Sequence, residues 1–232
     1  MFCMPARYKE MKLRRWSANF AYAVGLITTD GSLSKDGRHI TFTSKDREMI
    51  NNFQKSLSIQ NHVGRKSRGK EKEKRYYVVH VGDVRLYRFL LHIGLMPNKS
   101  KIIGEISIPK KYFFHFLRGH FDGDGTFYSY WDPRWKSSFL FYTVFISASR
   151  AHIEWLRKEI FLFLRITGHV TKGVNTSVYC LKFGKKESRR LLKKLYPRGT
   201  LMYLKRKRTK VEKALCIDRQ HAQVEKLVNS PA

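Results

Sequence analysis

Apolar residues recur along the chain in two alternating rhythms. Trp16, Phe20, Val24 and Ile27 stand at helical spacing behind Ser17, a good cap residue. The text then turns to period two: SLSKDGRHITFTS alternates around Asp36-Gly37, a hairpin signal. Met49, Ile50, Phe53 and Leu57 restore helical spacing, and HVGRK and RYYVVHV read as a second hairpin joined by the polar loop SRGKEKEK. From Pro109 the same order begins again. Phe113, Leu117 and Phe121 predict a helix, and SYWDPRWKSSFLFYTVFIS a longer hairpin with Asp132-Pro133 near its turn. Ile153, Leu156, Ile160 and Leu164 predict a further helix, and VYCLKFG a further strand. Each half reads α-β-β-α-β-β-α, so the chain is expected to be α+β with two halves, 16–105 and 106–210. Residues 211–232 are expected to form a short terminal helix and tail.

The two halves are copies. FAYAVGLITTDG at 20–31 and FHFLRGHFDGDG at 114–125 place Phe20, Gly25, Asp30 and Gly31 on Phe114, Gly119, Asp124 and Gly125 at an offset of 94. Ser44 and Ile50 fall on Ser147 and Ile153, and Val63 on Val170. Met96, Lys99 and Lys101 fall on Met202, Lys205 and Lys207, the offset having drifted to 106. A period of about a hundred residues with this order of elements is a duplicated domain.

Composition narrows the partner. Against 47 Lys+Arg stand 18 Asp+Glu, a net charge of +29, and so much like charge is best tolerated against a polyanion. A hydrophobic content of 42% excludes a wholly disordered basic tail. Cys3, Cys180 and Cys216 form no CxxC pair, so neither a disulfide framework nor a zinc module is expected. No apolar run is long enough to span a membrane, and MFCMPARYKEMKLRRW lacks a signal-peptide core. An intracellular location, a bacterial cytoplasm or an organelle matrix, is the expectation.

The repeat directs attention to its acids. TDGS and GDGT, taken singly, are turns in which Asp and Gly are favoured for backbone reasons. Taken as a pair they suggest more, because Ala18, Ala21 and Gly25 line one face of the first helix and Gly119 the matching face of the second. If these faces pack, Asp30 and Asp124 meet. Two carboxylates that meet repel, and divalent cations bound there would relieve this while taking phosphate oxygens. DGDG is no EF-hand loop, because the twelfth position is Pro133 where Glu is required. Asp122, opposite Thr28 in the repeat, is expected to support the helix end rather than to ligate.

AVGLITTDG at 23–31 and LRGHFDGDG at 117–125 resemble the two motifs of a single-chain LAGLIDADG homing endonuclease, the likeness extending over roughly residues 16–210. Thr28, His120 and Phe121 depart from the usual motif residues. The resemblance implies that the motif helices form the interface between halves and that the sheets form a β-saddle over DNA. It implies Asp30 and Asp124 as ligands of a catalytic divalent metal, helped by the carbonyls of Thr29 and Gly123. It implies a basic residue late in each repeat, best matched by Lys99 and Lys205, with Lys101 and Lys207 open. Ser44 and Ser147 would close the second strand of each half. Mg²⁺ is the expected metal, with Mn²⁺ substituting and Ca²⁺ supporting binding without cleavage.

On such a saddle, strand alternation would turn Thr41 and Thr43 to DNA, with Ser34 and Arg38 at the hairpin end, and Tyr76, Val78 and His80 beside them. Lys66 and Arg68 in the basic hairpin tip would track phosphates. Tyr128, Tyr130, Arg134, Lys172 and Lys182 would serve the second half. The expected function is site-specific double-strand cleavage by a monomer at a near-asymmetric target of about 20 base pairs, roughly one helical turn per half. An RNA-binding maturase and a catalytically inactive DNA-binding regulator are the alternatives on the same fold.

Overall fold

The computed structural model describes residues 15–67, 73–135, 138–173 and 176–228. The first half comprises α1 (Ala18–Asp30), β1 (Gly31–Leu33), β2 (His39–Ser44), α2 (Arg47–Leu57), β3 (Val63–Lys66), β4 (Tyr76–Gly82) and α3 (Val84–His92). The second comprises α4 (Phe113–Asp124), β5 (Thr126–Trp131), β6 (Phe139–Ser147), α5 (Arg150–Leu164), β7 (His169–Lys172), β8 (Tyr179–Phe183) and α6 (Lys185–Leu195). The expected α-β-β-α-β-β-α order thus holds in both halves. One helix follows, α7 (Lys205–Val228), so the tail expected from 211 is the continuation of a helix that begins earlier.

Local chemistry sets the boundaries. Ser17 caps α1 by accepting from the Phe20 amide, and Asp46, Asp83 and Ser149 do the same for α2, α3 and α5. Asp36 accepts the Arg38 and His39 amides and the His39 ring, closing the first hairpin. Ser44 and Ser147 each accept an amide two residues on, from Asp46 and Ser149, so both serine hydroxyls shape the turn into a helix.

The two sheets are antiparallel and identically ordered, β1-β2-β4-β3 and β5-β6-β8-β7. Register sorts their faces. Phe42 lies opposite Val79 and Ile40 opposite Val81, all buried towards the helices, which leaves Thr41, Thr43 and His80 on the other face. In the second sheet Phe141, Phe145, Leu181 and Phe183 are the helix-side residues, and Tyr128 lies opposite Tyr142 on the free face. Between the halves α1 packs along α4, and the apolar core runs unbroken through both.

The close approach of these helices is a glycine effect. A Cβ on Gly25 would lie 2.2 Å from the Phe116 carbonyl oxygen, and one on Gly119 would lie 2.1 Å from that of Tyr22. Only hydrogen fits at either position, which offsets the cost of glycine in a helix interior.

Candidate nuclease centre between the motif helices

Because α1 and α4 run together from their glycines, their C-terminal ends emerge side by side. Asp30 and Asp124 close the two helices and share one cleft of about 770 Å³ with Thr29, Gly123, Thr43, Ser44, Lys45, Lys66, Tyr76 and Arg206. A Cβ on Gly123 would lie 2.0 Å from Thr29 Oγ1 and 2.7 Å from Asp30 Oδ2, so the second helix end touches the first at the acid itself. Burial, then the charge of Asp124, pushes the Asp30 carboxyl up to about 6, and burial raises that of Asp124. The half-buried Asp30 and the exposed Asp124, two carboxylates that repel each other, are a fitting donor pair for a divalent metal, with Thr29 and Gly123 lining the same cleft. Among the described residues no third acid, His or Cys joins the pair, so remaining ligands would come from backbone, water and phosphate.

Two lysines stand under the acids. Lys99 is 5% exposed, and its ammonium donates to the Gly31 carbonyl at the end of α1. Its counterpart is Lys207 rather than Lys205. Lys207 Nζ lies 2.6 Å from the carbonyls of both Phe121 and Gly125, 2.8 Å from that of Asp122 and 3.0 Å from that of Gly123, whereas Lys205 is exposed and its backbone amide donates to Glu48. The physical reason is helical phase. Leu204, Lys207, Val211, Ala214 and Asp218 form the buried stripe of this segment, and Lys205 points out of it. Each ammonium caps the negative end of a motif helix. Burial lowers both lysines to about 8, countered by the nearby acids.

Asp122 is fully buried and does not enter the cleft. It accepts from Tyr22 Oη at 2.7 Å, the Leu204 amide at 2.8 Å and Tyr196 Oη at 3.2 Å, tying α1, α6 and the approach to α7 onto α4. Nothing in the sequence spacing announced that network. His120, a motif departure, lies with its Nε2 3.1 Å from that of His152, and His152 Nδ1 donates to the Gly104 carbonyl at 2.7 Å. Burial holds both rings neutral, His152 down to about 4. The pair borders a cavity of about 220 Å³ shared with Asp124.

The groove-side candidates separate. Thr41, Thr43, Tyr76 and His80 lie on the free face of the first sheet, Thr41 Oγ1 being 3.0 Å from His80 Nδ1, and Lys66 joins them at the cleft. Ser34 and the exposed Arg38 stand at the hairpin. Tyr128 and Tyr130 lie on the free face of the second sheet with Tyr142, a residue the sequence reading omitted. Their rings stack at 5.2–6.4 Å, and Lys182 Nζ sits 4.0 Å from the Tyr142 centroid. Lys172 is a correction: it pairs with Tyr179, in phase with Leu181 and Phe183, so the pleat sends it to the helix side. Arg134 is exposed beyond β5 and bonds Asp132 at its own turn. Arg68 lies outside the described residues.

The raised Asp30 carboxyl has a measurable consequence. Its ordinary value is 3.8 and its folded value about 6. In that window the native state binds the proton more tightly than the unfolded chain, so this group's contribution to stability falls as pH rises through about 6. Asp30→Asn is therefore expected to raise the Tm of metal-free protein at about pH 7.5, with the gain fading towards about pH 4. Thermal melts in a chelator across this range check it; a lower Tm for the variant at neutral pH would contradict the charge crowding.

Residues 17–94 match the family described as LAGLIDADG-like domain. No curated protein matches the sequence. Among solved structures, the chain is similar to the homing endonuclease I-WcaI bound to its DNA recognition sequence (TM-score 0.60, 12% identity, 89% of this chain and 94% of that one). It is similar also to the LAGLIDADG homing endonuclease I-LtrWI bound to target DNA (0.58, 12%, 90% and 92%). The N-terminal LAGLIDADG domain of DUF199/WhiA matches at 0.51 with 18% identity over 82% of this chain and 88% of that one. The chain accordingly has the LAGLIDADG fold in two-repeat, single-chain form, with residues 17–94 similar to the LAGLIDADG-like domain.

Proposed function

We propose that the chain is a monomeric, divalent-metal-dependent, site-specific double-strand DNA endonuclease. The observation that carries this reading is the meeting of Asp30 and Asp124 at the two helix ends, between two sheets whose free faces carry groove-sized polar and aromatic side chains. Asp30 and Asp124, with the Thr29 and Gly123 carbonyls, would hold Mg²⁺, or Mn²⁺ in its place. The metal, when bound, supplies Lewis-acid polarisation of the phosphate and an acidified water for in-line attack. The carboxylates orient that water, and Lys99 and Lys207 place positive charge beneath the helix ends, where it stabilises charge developing on phosphate oxygens. Thr41, Thr43, Tyr76 and His80 on one sheet and Tyr128, Tyr130 and Lys182 on the other would read base edges. Lys66, Arg38 and Arg134 would hold phosphates. The two structural relatives solved with DNA support a duplex partner.

The test is selection of cleaved sites from a randomised duplex library in magnesium, followed by mapping of both nicks. Discrete cleavage of both strands at one site supports the reading, and its absence in magnesium and manganese overturns it. One observation favours a binding-only reading. Lys207 is fully engaged by backbone carbonyls, as a purely structural helix cap would be. Specific target binding without cleavage under those conditions would select it.

Either reading requires affinity dominated by phosphates. With +29 net charge, log K for a target duplex is expected to fall linearly with log salt, by about 0.9 per phosphate neutralised. Fluorescence anisotropy across a salt series measures the slope, and a flat response would remove the nucleic-acid assignment.

A further inference from the structure

Resting on the duplex partner proposed above, we infer that the second half of the chain reads its half-site through the C5-methyl groups of pyrimidines, with Ile146 and Tyr142 as the reading side chains. The two repeats differ at this face. At the offset of 103 that sets Ser44 on Ser147, His39 falls on Tyr142, Thr41 on Val144 and Thr43 on Ile146. All six lie on the free parity of β2 and β6, which are inner strands of their sheets. In β2 each of the three carries a hydrogen-bonding group. In β6 the same parity runs Leu140, Tyr142, Val144, Ile146, with a single hydroxyl among four side chains. Leu140, Tyr142 and Ile146 are half-buried and Val144 is buried. Threonine and valine differ by a hydroxyl rather than by size, so the duplicated fold accepts either, and the difference lies in what each face offers a partner.

Position gives that difference its meaning. Thr43 lines the cleft that holds Asp30, and Ile146 lines the cavity that holds Asp124. Each therefore meets the base pairs beside its own acid. A major groove presents hydrogen-bond acceptors, hydrogen-bond donors and the thymine C5 methyl. Hydrocarbon laid on a donor or an acceptor displaces its water and returns no bond. Hydrocarbon laid on a methyl takes apolar surface out of water on both sides. The sequence that β6 binds best is thus one with methyls at those places. Its neighbours do not change this: from β8 come Cys180 and Lys182, whose ammonium is held over the Tyr142 and Tyr128 rings at 4.0 and 5.4 Å. On β2, by contrast, Thr41 and Thr43 can turn a hydroxyl towards any base edge, with His80 opposite Thr41.

The probe is the target duplex selected as above, bound in calcium, with deoxyuridine in place of thymidine. That exchange removes the C5 methyl and leaves every hydrogen-bonding edge unchanged. One half-site is expected to lose about three- to fourfold in affinity for each thymine contacted, and the other to change by less than about twofold. In Ile146→Ser the uracil penalty at the base pairs beside the cut in the sensitive half should vanish, whereas Thr43→Val should leave it in place. Each penalty is a ratio taken within one protein, so a lower folded fraction does not move it. Uracil tolerated in both half-sites, an equal loss in both, a selected site without thymine beside either cut, or a penalty that survives Ile146→Ser would overturn methyl reading and leave the duplex partner standing. Failure to bind any duplex would overturn both.

Discussion

Asp30→Asn and Asp124→Asn are each expected to slow double-strand cleavage in magnesium by at least about 10²–10³-fold, the scale of losing one preorganised electrostatic element of an active site. Target affinity in calcium should stay within a few-fold of wild type. The asymmetry follows from geometry. Each acid stands at the end of its helix in the cleft; Thr43 and Tyr76 line the same cleft, but Thr41, His80, Tyr128, Tyr130 and Lys182 stand on strands outside it. Losing a carboxylate also removes repulsion towards phosphate, so binding has no reason to weaken. Single-turnover assays on a supercoiled target separate the strands: if each acid serves one strand, the single variants accumulate nicked circles. Asp122→Asn is the contrast. Its carboxylate receives three donors in the interior, and an amide presents an N–H to one of them, at a cost of about 1–3 kcal/mol. The variant should melt earlier while its folded fraction still cleaves. Full cleavage by an Asp30→Asn, Asp124→Asn double variant would return both motifs to the status of ordinary turns.

The largest effect on stability is expected at the helix crossing. Gly25→Ala and Gly119→Ala should each destabilise the protein by about 3 kcal/mol or more, against the roughly 1 kcal/mol that helix propensity alone would return to alanine. The overlapping atoms are backbone: the Phe116 carbonyl oxygen at 2.2 Å and the His120 nitrogen at 2.6 Å for Gly25, and the Tyr22 carbonyl oxygen at 2.1 Å for Gly119. No side-chain rotation relieves such contacts, so the helices must separate, and the acids with them. Gly104→Ala, where a Cβ would meet nothing within 4 Å, is the matched control and should melt as wild type does. A wild-type urea midpoint for either helix variant would show that the halves are not locked through these residues.

Much of this arrangement was legible before any coordinates. The repeat in the text, with Gly25 on Gly119 and Asp30 on Asp124, predicted two like halves meeting along their first helices, and the helices do meet there. Strand alternation correctly turned Thr41, Thr43, Tyr76 and His80 to the free face, because a period of two leaves one parity to the core once Ile40, Phe42, Val79 and Val81 claim it. It failed at Lys172, where a four-residue edge strand carries too little apolar pattern to set its phase. The second lysine was left open between Lys205 and Lys207, and Lys207 is the one beneath α4. Aligning repeats by offset favoured Lys205, although the helical stripe from Leu204 to Asp218 already held Lys207 in phase and could have chosen it.

The sequence by itself therefore determined the duplicated topology, the glycine-lined crossing, the place of Asp30 and Asp124 at the ends of the two motif helices and the net charge of +29, since all are properties of local pattern or total charge. Only the tertiary structure decided which cations stand beneath the acids, that Asp122 is an interior pin joining α1, α6 and the approach to α7, and that His120 pairs with His152. It alone also joined Lys185 and Arg189 of α6 to Asp218 of α7. These contacts join residues from about thirty to more than eighty positions apart. Their partners are set by how helices pack in three dimensions, and no spacing along the chain encodes that.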